Sequence, residues 1–153
     1  MKIGVPREIK PQENRIGLTP ESAKSLVSNG HEVLIENNGG FEAGFDNDQY
    51  KSAGAKIVEK AGDIYNDAEI IVKVKEPLSN EVKMIRENQI VFTYLHLAAA
   101  KELTQGLINS KGICIAYETV TDQNGRLPLL APMSAVAGRM SVQAGAHCLE
   151  KNQ

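Results

Sequence analysis

The sequence predicts an α/β fold: an open, mostly parallel sheet with helices on both faces, ending in a long helix. Short runs rich in β-branched residues alternate with helix-like segments along the 153 residues, an alternation typical of right-handed βαβ units. The runs VLI, IIV and IVF are continuously apolar, as expected of strands covered on both faces. A content of 42% hydrophobic and 24% charged residues indicates one compact domain with a real core.

The first βα unit has the clearest local signals. Lys2–Val5 (KIGV) is predicted as the first strand. A helix then begins at residues 19–21 (TPE), because Thr caps free amides, Pro suits the first turn and Glu suits the positive end of the dipole. Gly30 is predicted to end this helix, and His31–Glu36 (HEVLIE) is the second strand.

The remaining elements follow in the same alternation. Strands are predicted at Ala55–Val58, Glu69–Val74, Gln89–Tyr94 and Gly112–Ala116. Helices are predicted near Asp48–Ala53, Ser79–Glu87 and Ala99–Ser110, and over Ser134–Lys151. This order is typical of Rossmann and flavodoxin-like folds.

The glycine-rich loop from Asn37 to Gly44 is interpreted as a turn, since no Lys-Ser or Lys-Thr follows it as in a phosphate loop. No G-x-G-x-x-G occurs among the 13 glycines, so these residues carry no fingerprint for the pyrophosphate of a dinucleotide.

Composition excludes several classes of function. Seventeen basic and 19 acidic side chains give a net charge of −2, unlike the clustered basic excess of a nucleic-acid surface. Cys114 and Cys148 are too few and too far apart for a metal site or a disulfide framework, and free thiols fit a reducing compartment. No signal segment or membrane-length apolar run is visible. We expect a cytoplasmic protein with no metal, nucleic-acid or membrane partner.

One edge of the predicted sheet collects chemically active side chains. Ligands of open α/β sheets bind beyond the carboxyl ends of the strands. Arg7 and Arg15 follow the first strand, Lys75 follows EIIVKV, His96 follows QIVFTY and Glu118 follows GICIA. Arg holds a carboxylate with two parallel hydrogen bonds, Lys polarises a carbonyl, and His transfers a proton near neutral pH. The set therefore predicts a site for a small 2-oxo or 2-amino acid.

Each of these residues also has a structural interpretation. Arg7, the weaker of the two arginines, is better suited to an ion pair with Glu8 or Glu13 than to ligand contact. Arg15 taken alone is equally suited to a solvated loop. Lys75, next to Glu76, is compatible with a plain turn charge, His96 with a structural histidine between two leucines, and Glu118 with a cap for the next segment. Only their placement on one edge favours the site.

Four long motifs carry a family resemblance. They are MKIGVPREIKPQENRIGLTP, VKVKEP, YLHLA and the stretch from YETV to LPLLAPMSAVAGRMSVQAGA. The chain resembles, along essentially all of its length, the N-terminal part of the alanine dehydrogenases. These enzymes share their family with the proton-translocating nicotinamide nucleotide transhydrogenases. YLHLA and LPLLAPMSAVAGRM favour the alanine dehydrogenase branch.

The resemblance implies oxidative deamination of L-alanine to pyruvate and ammonium, with hydride passing to NAD. It implies that Arg15 and Lys75 bind the substrate carboxylate and carbonyl oxygen, and that His96 is the acid/base. The supporting positions that it implies are Glu118, Tyr94 and Met133 in the pocket, with Met133 and Ser134 near the cofactor.

The same resemblance implies a domain division. Residues 1–130 are expected to form a substrate-binding domain that lacks its C-terminal return segment, and residues 131–153 the start of an interdomain helix. The NAD-binding domain is expected to be absent, the 153 residues alone to be inactive, and the full-length enzyme to be a homo-oligomer. Two alternatives stay open: a stand-alone module that binds 2-oxo or 2-amino acids, and a transhydrogenase-like subunit that acts with a separate partner chain.

Overall fold

The computed structural model describes residues 1–151 and divides into two compact units, the first Met1–Ala116 and the second beginning at Tyr117. The first unit contains a six-stranded sheet whose neighbouring strands are all parallel. In chain order the strands are β1 (Lys2–Val5), β2 (Glu32–Glu36), β3 (Lys56–Val58), β4 (Ile70–Val72), β5 (Ile90–Thr93) and β6 (Ile113–Ala116).

The strand order is β3-β2-β1-β4-β5-β6. The chain builds outward from β1 to β3, then crosses back so that β4 pairs with the free side of β1. The direction of winding therefore reverses between β1 and β4. In open α/β sheets a crevice forms at this reversal, beyond the carboxyl ends of the strands.

Six helices accompany the strands in the described part of the chain. They are α1 (Pro20–Ser28), α2 (Asn47–Ser52), α3 (Ala61–Asp67), α4 (Ser79–Val82), α5 (Lys101–Ser110) and, in the second unit, α6 (Ala131–Cys148). The Thr19 hydroxyl accepts the Ser22 amide at 3.2 Å at the start of α1, as its position before Pro20 predicts. Gly30 follows α1 with φ +83°, a conformation in which glycine is not strained.

The core lies on both faces of the sheet, which confirms the predicted fold class. Val33 and Ile35 of β2 pack in one cluster with Ala23 of α1 and Tyr50 of α2. Leu34, between them, packs in the other cluster with residues of α3 and α5. Successive side chains of a strand point to opposite faces, so β2 is covered by helices on both sides.

The elements differ from the sequence-based expectation at several points. Helix α3 was not predicted, because only Ile64 and Tyr65 of its seven residues are buried and so short an apolar stripe leaves no clear period. Helix α4 ends at Val82 rather than Glu87, and β4 is limited to residues 70–72. Helix α6 begins three residues before Ser134, since Pro132 is accommodated in its first turn.

The second unit begins with a 3-10 turn at Tyr117–Thr119. The predicted polar turn is present at Asp122–Gly125: the Asp122 carboxylate accepts the amides of Asn124 and Arg126 at 2.8 and 2.9 Å. Helix α6 follows with 18 residues. Within residues 1–151, no helix combines the length and apolarity needed to cross a membrane.

Close contact of α3 with β1 depends on Gly4. A Cβ atom at this position would lie 2.5 Å from Ile64 Cγ2 and 2.7 Å from Ala68 Cβ. We therefore expect Gly4→Ala to lower the free energy of unfolding by about 1–3 kcal/mol, because overpacking displaces the helix. Urea denaturation measures this. Gly62→Ala, in α3 itself, is the matched control, because a Cβ atom there would lie 4.0 Å from its nearest neighbour, Met84 Sδ. An equal loss of stability in both variants would contradict the prediction.

Candidate active site

The backbone of Lys75 is held from two sides at the carboxyl end of β4. The Glu8 carboxylate, just after β1, accepts the amides of Val74 and Lys75 at 2.7 and 3.3 Å. The Lys75 carbonyl accepts the Thr93 hydroxyl of β5 at 2.9 Å. Lys75 is thus fixed at the crevice between β1 and β4, where the winding of the sheet reverses.

Beneath this segment lies a buried ionic network of Glu8, Lys73 and Glu81. The Lys73 side chain is 0% exposed, and its ammonium lies 3.1 Å from Glu8 and 2.8 Å from Glu81, whose side chains are each 3% exposed. Glu81 also accepts the Leu78 amide at 2.8 Å and the Tyr65 hydroxyl at 3.4 Å. Burial raises the pKa of the Tyr65 hydroxyl, which keeps it protonated as a donor. The network joins the ends of β1 and β4 to the start of α4.

Arg15 already holds a carboxylate in this structure. Its Nε and one terminal nitrogen donate to the two oxygens of Glu13 at 2.8 and 2.6 Å. These hydrogen bonds hold the pKa of Glu13 below its ordinary value, although partial burial opposes them. The loop lies against β4, since a Cβ on Gly17 would be 2.7 Å from the Val72 carbonyl oxygen. Arg15 thus has the two-bond geometry of carboxylate recognition.

His96 lies in a cluster of charged and aromatic groups. It follows β5 in the left-handed conformation, with φ 50° and ψ 40°, and its ring stacks on Tyr94 at a centroid distance of 6.1 Å. His96 Nδ1 lies 3.8 Å from Glu76 Oε2, and the Lys75 ammonium lies 3.8 Å from the same oxygen. The second Glu76 oxygen accepts a hydrogen bond from Lys10. Lys75, Tyr94 and His96 are therefore neighbours around Glu76.

The charges keep Glu76 ionised. Partial burial would raise its pKa, but the Lys10 hydrogen bond, a backbone amide and the charges of Lys75 and Lys10 together hold it below the ordinary value. The Lys75 charge also lowers the pKa of Glu13, so the Arg15–Glu13 pair lies within electrostatic reach of Lys75. By contrast, Arg7 is exposed, and its backbone amide donates to Glu36 at 2.7 Å.

Three of the predicted site residues belong to the second unit. Glu118 lies in the 3-10 turn at Tyr117–Thr119. Met133 and Ser134 lie in the first turn of α6, where the Ser134 amide donates to the Leu130 carbonyl at 3.1 Å. Their roles in a pocket and beside a cofactor stay predictions.

Sequence reasoning did not identify Glu8, Glu13, Lys73 or Glu76 as parts of the site. Lys73 carried a usable signal, because it interrupts the apolar run IIVKV and a lysine within a covered strand requires a buried partner. The sequence predicts Glu13, two residues from Arg15, only as a partner for Arg7, and Glu76 only as a neighbour of Lys75 in a turn.

The depressed pKa values of Glu13 and Glu76 predict acid sensitivity. Between the folded pKa and the ordinary value of 4.5, the unfolded chain binds more protons, so the free energy of unfolding falls as the pH drops. We expect stability to be lost progressively below about pH 4.5 and the double variant Glu13→Gln/Glu76→Gln to show a shallower loss. Urea midpoints measured between pH 3 and 7 test this. Parallel profiles for wild type and variant would contradict it.

Comparisons with known proteins identify the family of this chain. Residues 4–137 match the family described as "Alanine dehydrogenase/PNT, N-terminal domain". An alanine dehydrogenase of Halomonas elongata is 54% identical over 153 residues, which are 100% of this chain and 41% of the relative. An alanine dehydrogenase of Staphylococcus epidermidis is 53% identical over 151 residues, 99% of this chain and 40% of the relative.

Two solved structures share the fold of this chain. One described as L-alanine dehydrogenase has a TM-score of 0.91 and 53% identity, and the match covers 98% of this chain and 41% of that one. A transhydrogenase from Sinorhizobium meliloti, with a TM-score of 0.74 and 24% identity over 80% of this chain and 36% of its own, shares the fold. The chain spans 40–41% of the length of the two curated relatives described above. By its matching residues and its fold, the chain belongs to the alanine dehydrogenase/PNT N-terminal domain family.

Proposed function

We propose that these residues are the substrate-binding part of an NAD-dependent L-alanine dehydrogenase, which interconverts L-alanine with pyruvate and ammonium. The observation that carries the proposal is the pair of hydrogen bonds by which Arg15, on the loop that follows β1, holds a carboxylate. An anion anchor, a carbonyl polariser and an acid/base are the groups that a small 2-oxo acid requires.

Arg15 binds the substrate carboxylate, which takes the place of Glu13 on the guanidinium. The Arg15 side chain is 49% exposed, so a ligand from solvent has access to it. Lys75 binds the carbonyl oxygen of pyruvate, and the charge of its ammonium stabilises the negative charge that develops there. Because Glu8 and Thr93 already hold the Lys75 backbone in place, little conformational entropy is lost when Lys75 binds the substrate.

His96 moves the proton. It takes a proton from the substrate oxygen as pyruvate forms and returns it in the reverse direction. The stacked Tyr94 ring supports the imidazole, and we propose a supporting role in substrate binding for Glu118.

NAD supplies the hydride acceptor when bound. Met133 and Ser134, exposed in the first turn of α6, are suited to contact it but offer no grip for a pyrophosphate. We therefore assign the main NAD site to residues beyond these 153. In this proposal residues 1–130 form the substrate domain, residues 131–153 begin the interdomain helix, and the whole enzyme is a cytoplasmic homo-oligomer.

Calorimetric titration with pyruvate tests the proposal. We expect the wild-type chain to bind and Arg15→Ala to bind about 100-fold more weakly, because two charge-assisted hydrogen bonds are lost. Arg7→Ala is the matched control, since Arg7 is an exposed arginine that also follows β1, and its affinity should equal that of wild type. The proposal would be wrong if the wild-type chain gave no heat of pyruvate binding, or if wild type and Arg15→Ala gave equal heat.

A further inference from the structure

One carboxylate oxygen in the His96 cluster has no donor. Glu76 Oε2 is buried, and among the described residues it has no hydrogen-bond partner. Leaving a buried acceptor unsatisfied costs free energy, and this one belongs to a carboxylate whose other oxygen is already bonded by Lys10. Glu76 Oε2 can therefore accept a hydrogen bond from a donor that approaches it.

Two donors lie at the same distance from this oxygen. Lys75 Nζ and His96 Nδ1 are each 3.8 Å away. A Lys ammonium has three donors on a flexible stem and reaches a ligand by rotating away. An imidazole is a rigid ring, and a partner on one of its nitrogens decides which nitrogen carries the proton. An approach of about 0.6 Å or more would bring His96 Nδ1, now 3.8 Å away, within hydrogen-bond distance of Glu76 Oε2.

The backbone on both sides limits how this contact can move. Lys75, which precedes Glu76, is held by Glu8 and Thr93, and the Leu78 amide, two residues later, is bonded to Glu81. His96 is held in the left-handed conformation directly after Tyr94 and Leu95. The pair therefore rests on two short segments at the ends of adjacent strands β4 and β5.

We propose that Glu76 is a positioning residue that accepts the Nδ1–H of His96, fixes that tautomer and so leaves the basic lone pair on Nε2. A partner on one ring nitrogen decides which nitrogen carries the proton. Lys10 completes the arrangement by holding the other Glu76 oxygen. The inference deepens the proposed acid/base role of His96 and rests on it for its functional meaning.

The tautomer is directly measurable, because the chain has only three histidines: His31, His96 and His147. Long-range ¹H–¹⁵N spectra of histidine-labelled protein, recorded near pH 8.5 where an ordinary imidazole is neutral, distinguish Nδ1–H from Nε2–H. A His96→Gln spectrum assigns the signal. We expect Nδ1–H to predominate at His96 in wild type.

Two variants remove the acceptor. We expect the ratio of Nδ1–H to Nε2–H at His96 to fall about tenfold or more in Glu76→Ala, since a hydrogen bond to a charged group is lost. Glu76→Leu retains most of the side-chain volume and replaces the first variant if that one does not fold. Glu87→Ala, which removes a carboxylate from the exposed pair with Lys111, is the matched control and should leave the ratio unchanged.

A predominant Nε2–H tautomer in wild type would overturn the inference, whether or not the variants fold. So would a ratio that is the same in wild type and in a folded Glu76 variant. The signals of His31 and His147 should not move and report the integrity of the fold. Since the measurement needs no ligand, its outcome is separate from the pyruvate titration, which tests the proposed function.

Discussion

Replacing Lys73 by Met is expected to lower the free energy of unfolding by about 3–5 kcal/mol, the usual cost of removing one partner from a buried ion pair. Without the ammonium, Glu8 and Glu81 become neighbouring carboxylates that are 3% exposed, with no cation between them. Since small domains are stable by only about 5–15 kcal/mol, the loss is a large share of the total. Urea denaturation followed by circular dichroism measures it.

Lys51→Met is the matched control for this prediction. Lys51 forms an exposed pair with Asp48 at 2.9 Å on α2, and exposed pairs contribute less than about 1 kcal/mol. The triple variant Lys73→Met/Glu8→Gln/Glu81→Gln should recover part of the lost stability, because no uncompensated charge remains. If Lys73→Met costs no more than Lys51→Met, the network does not hold the ends of β1 and β4 together.

The largest effect on activity is expected at His96. We consider a chimera in which these 153 residues replace the corresponding 41% of the Halomonas elongata alanine dehydrogenase. His96→Ala in this chimera should lower kcat for NAD-dependent oxidation of L-alanine by about 10²–10⁴-fold, the usual contribution of a general acid/base. The KM for L-alanine should change much less, because the proposed substrate ligands Arg15 and Lys75 are unchanged.

His147→Ala is the control for that experiment, since His147 is an exposed residue of α6 paired with Glu150. Its kcat should match that of the unmodified chimera. An active chimera that keeps its rate after His96→Ala would assign the proton transfer to another group. Initial rates of NADH formation, measured at saturating NAD and varied L-alanine, separate kcat from KM.

Much of the fold follows from local pattern. The strands were predicted because their apolar runs are short and rich in β-branched residues, and the start of α1 was predicted from Thr19 and Pro20. Helix α3 was missed because two buried side chains, Ile64 and Tyr65, are too few to define a helical period. The strand order was not accessible in this way, since an apolar run indicates that a strand is covered and not which strand it pairs with.

The candidate site was likewise predictable from the sequence only in part. A general rule about parallel sheets placed Lys75 and His96 at one edge before any contact was known. The rule carries no information on what each side chain bonds to. The partners of these residues, Glu8 for the Lys75 amide and Glu76 beside His96, became evident only when the chain was folded.

By itself, the sequence determined the parallel α/β class, the segments that form most of its strands, and the family of the chain. It also singled out Arg15, Lys75 and His96 as candidate site residues. Only the tertiary structure decided the reversal between β1 and β4, the burial of Lys73 between two glutamates and the position of the Glu76 oxygen. The physical reason is the separation along the chain of the residues that interact. Hydrophobic periodicity and capping depend on residues within a few positions of one another, whereas Lys73 and Glu8 are 65 residues apart and meet only because β4 pairs with β1.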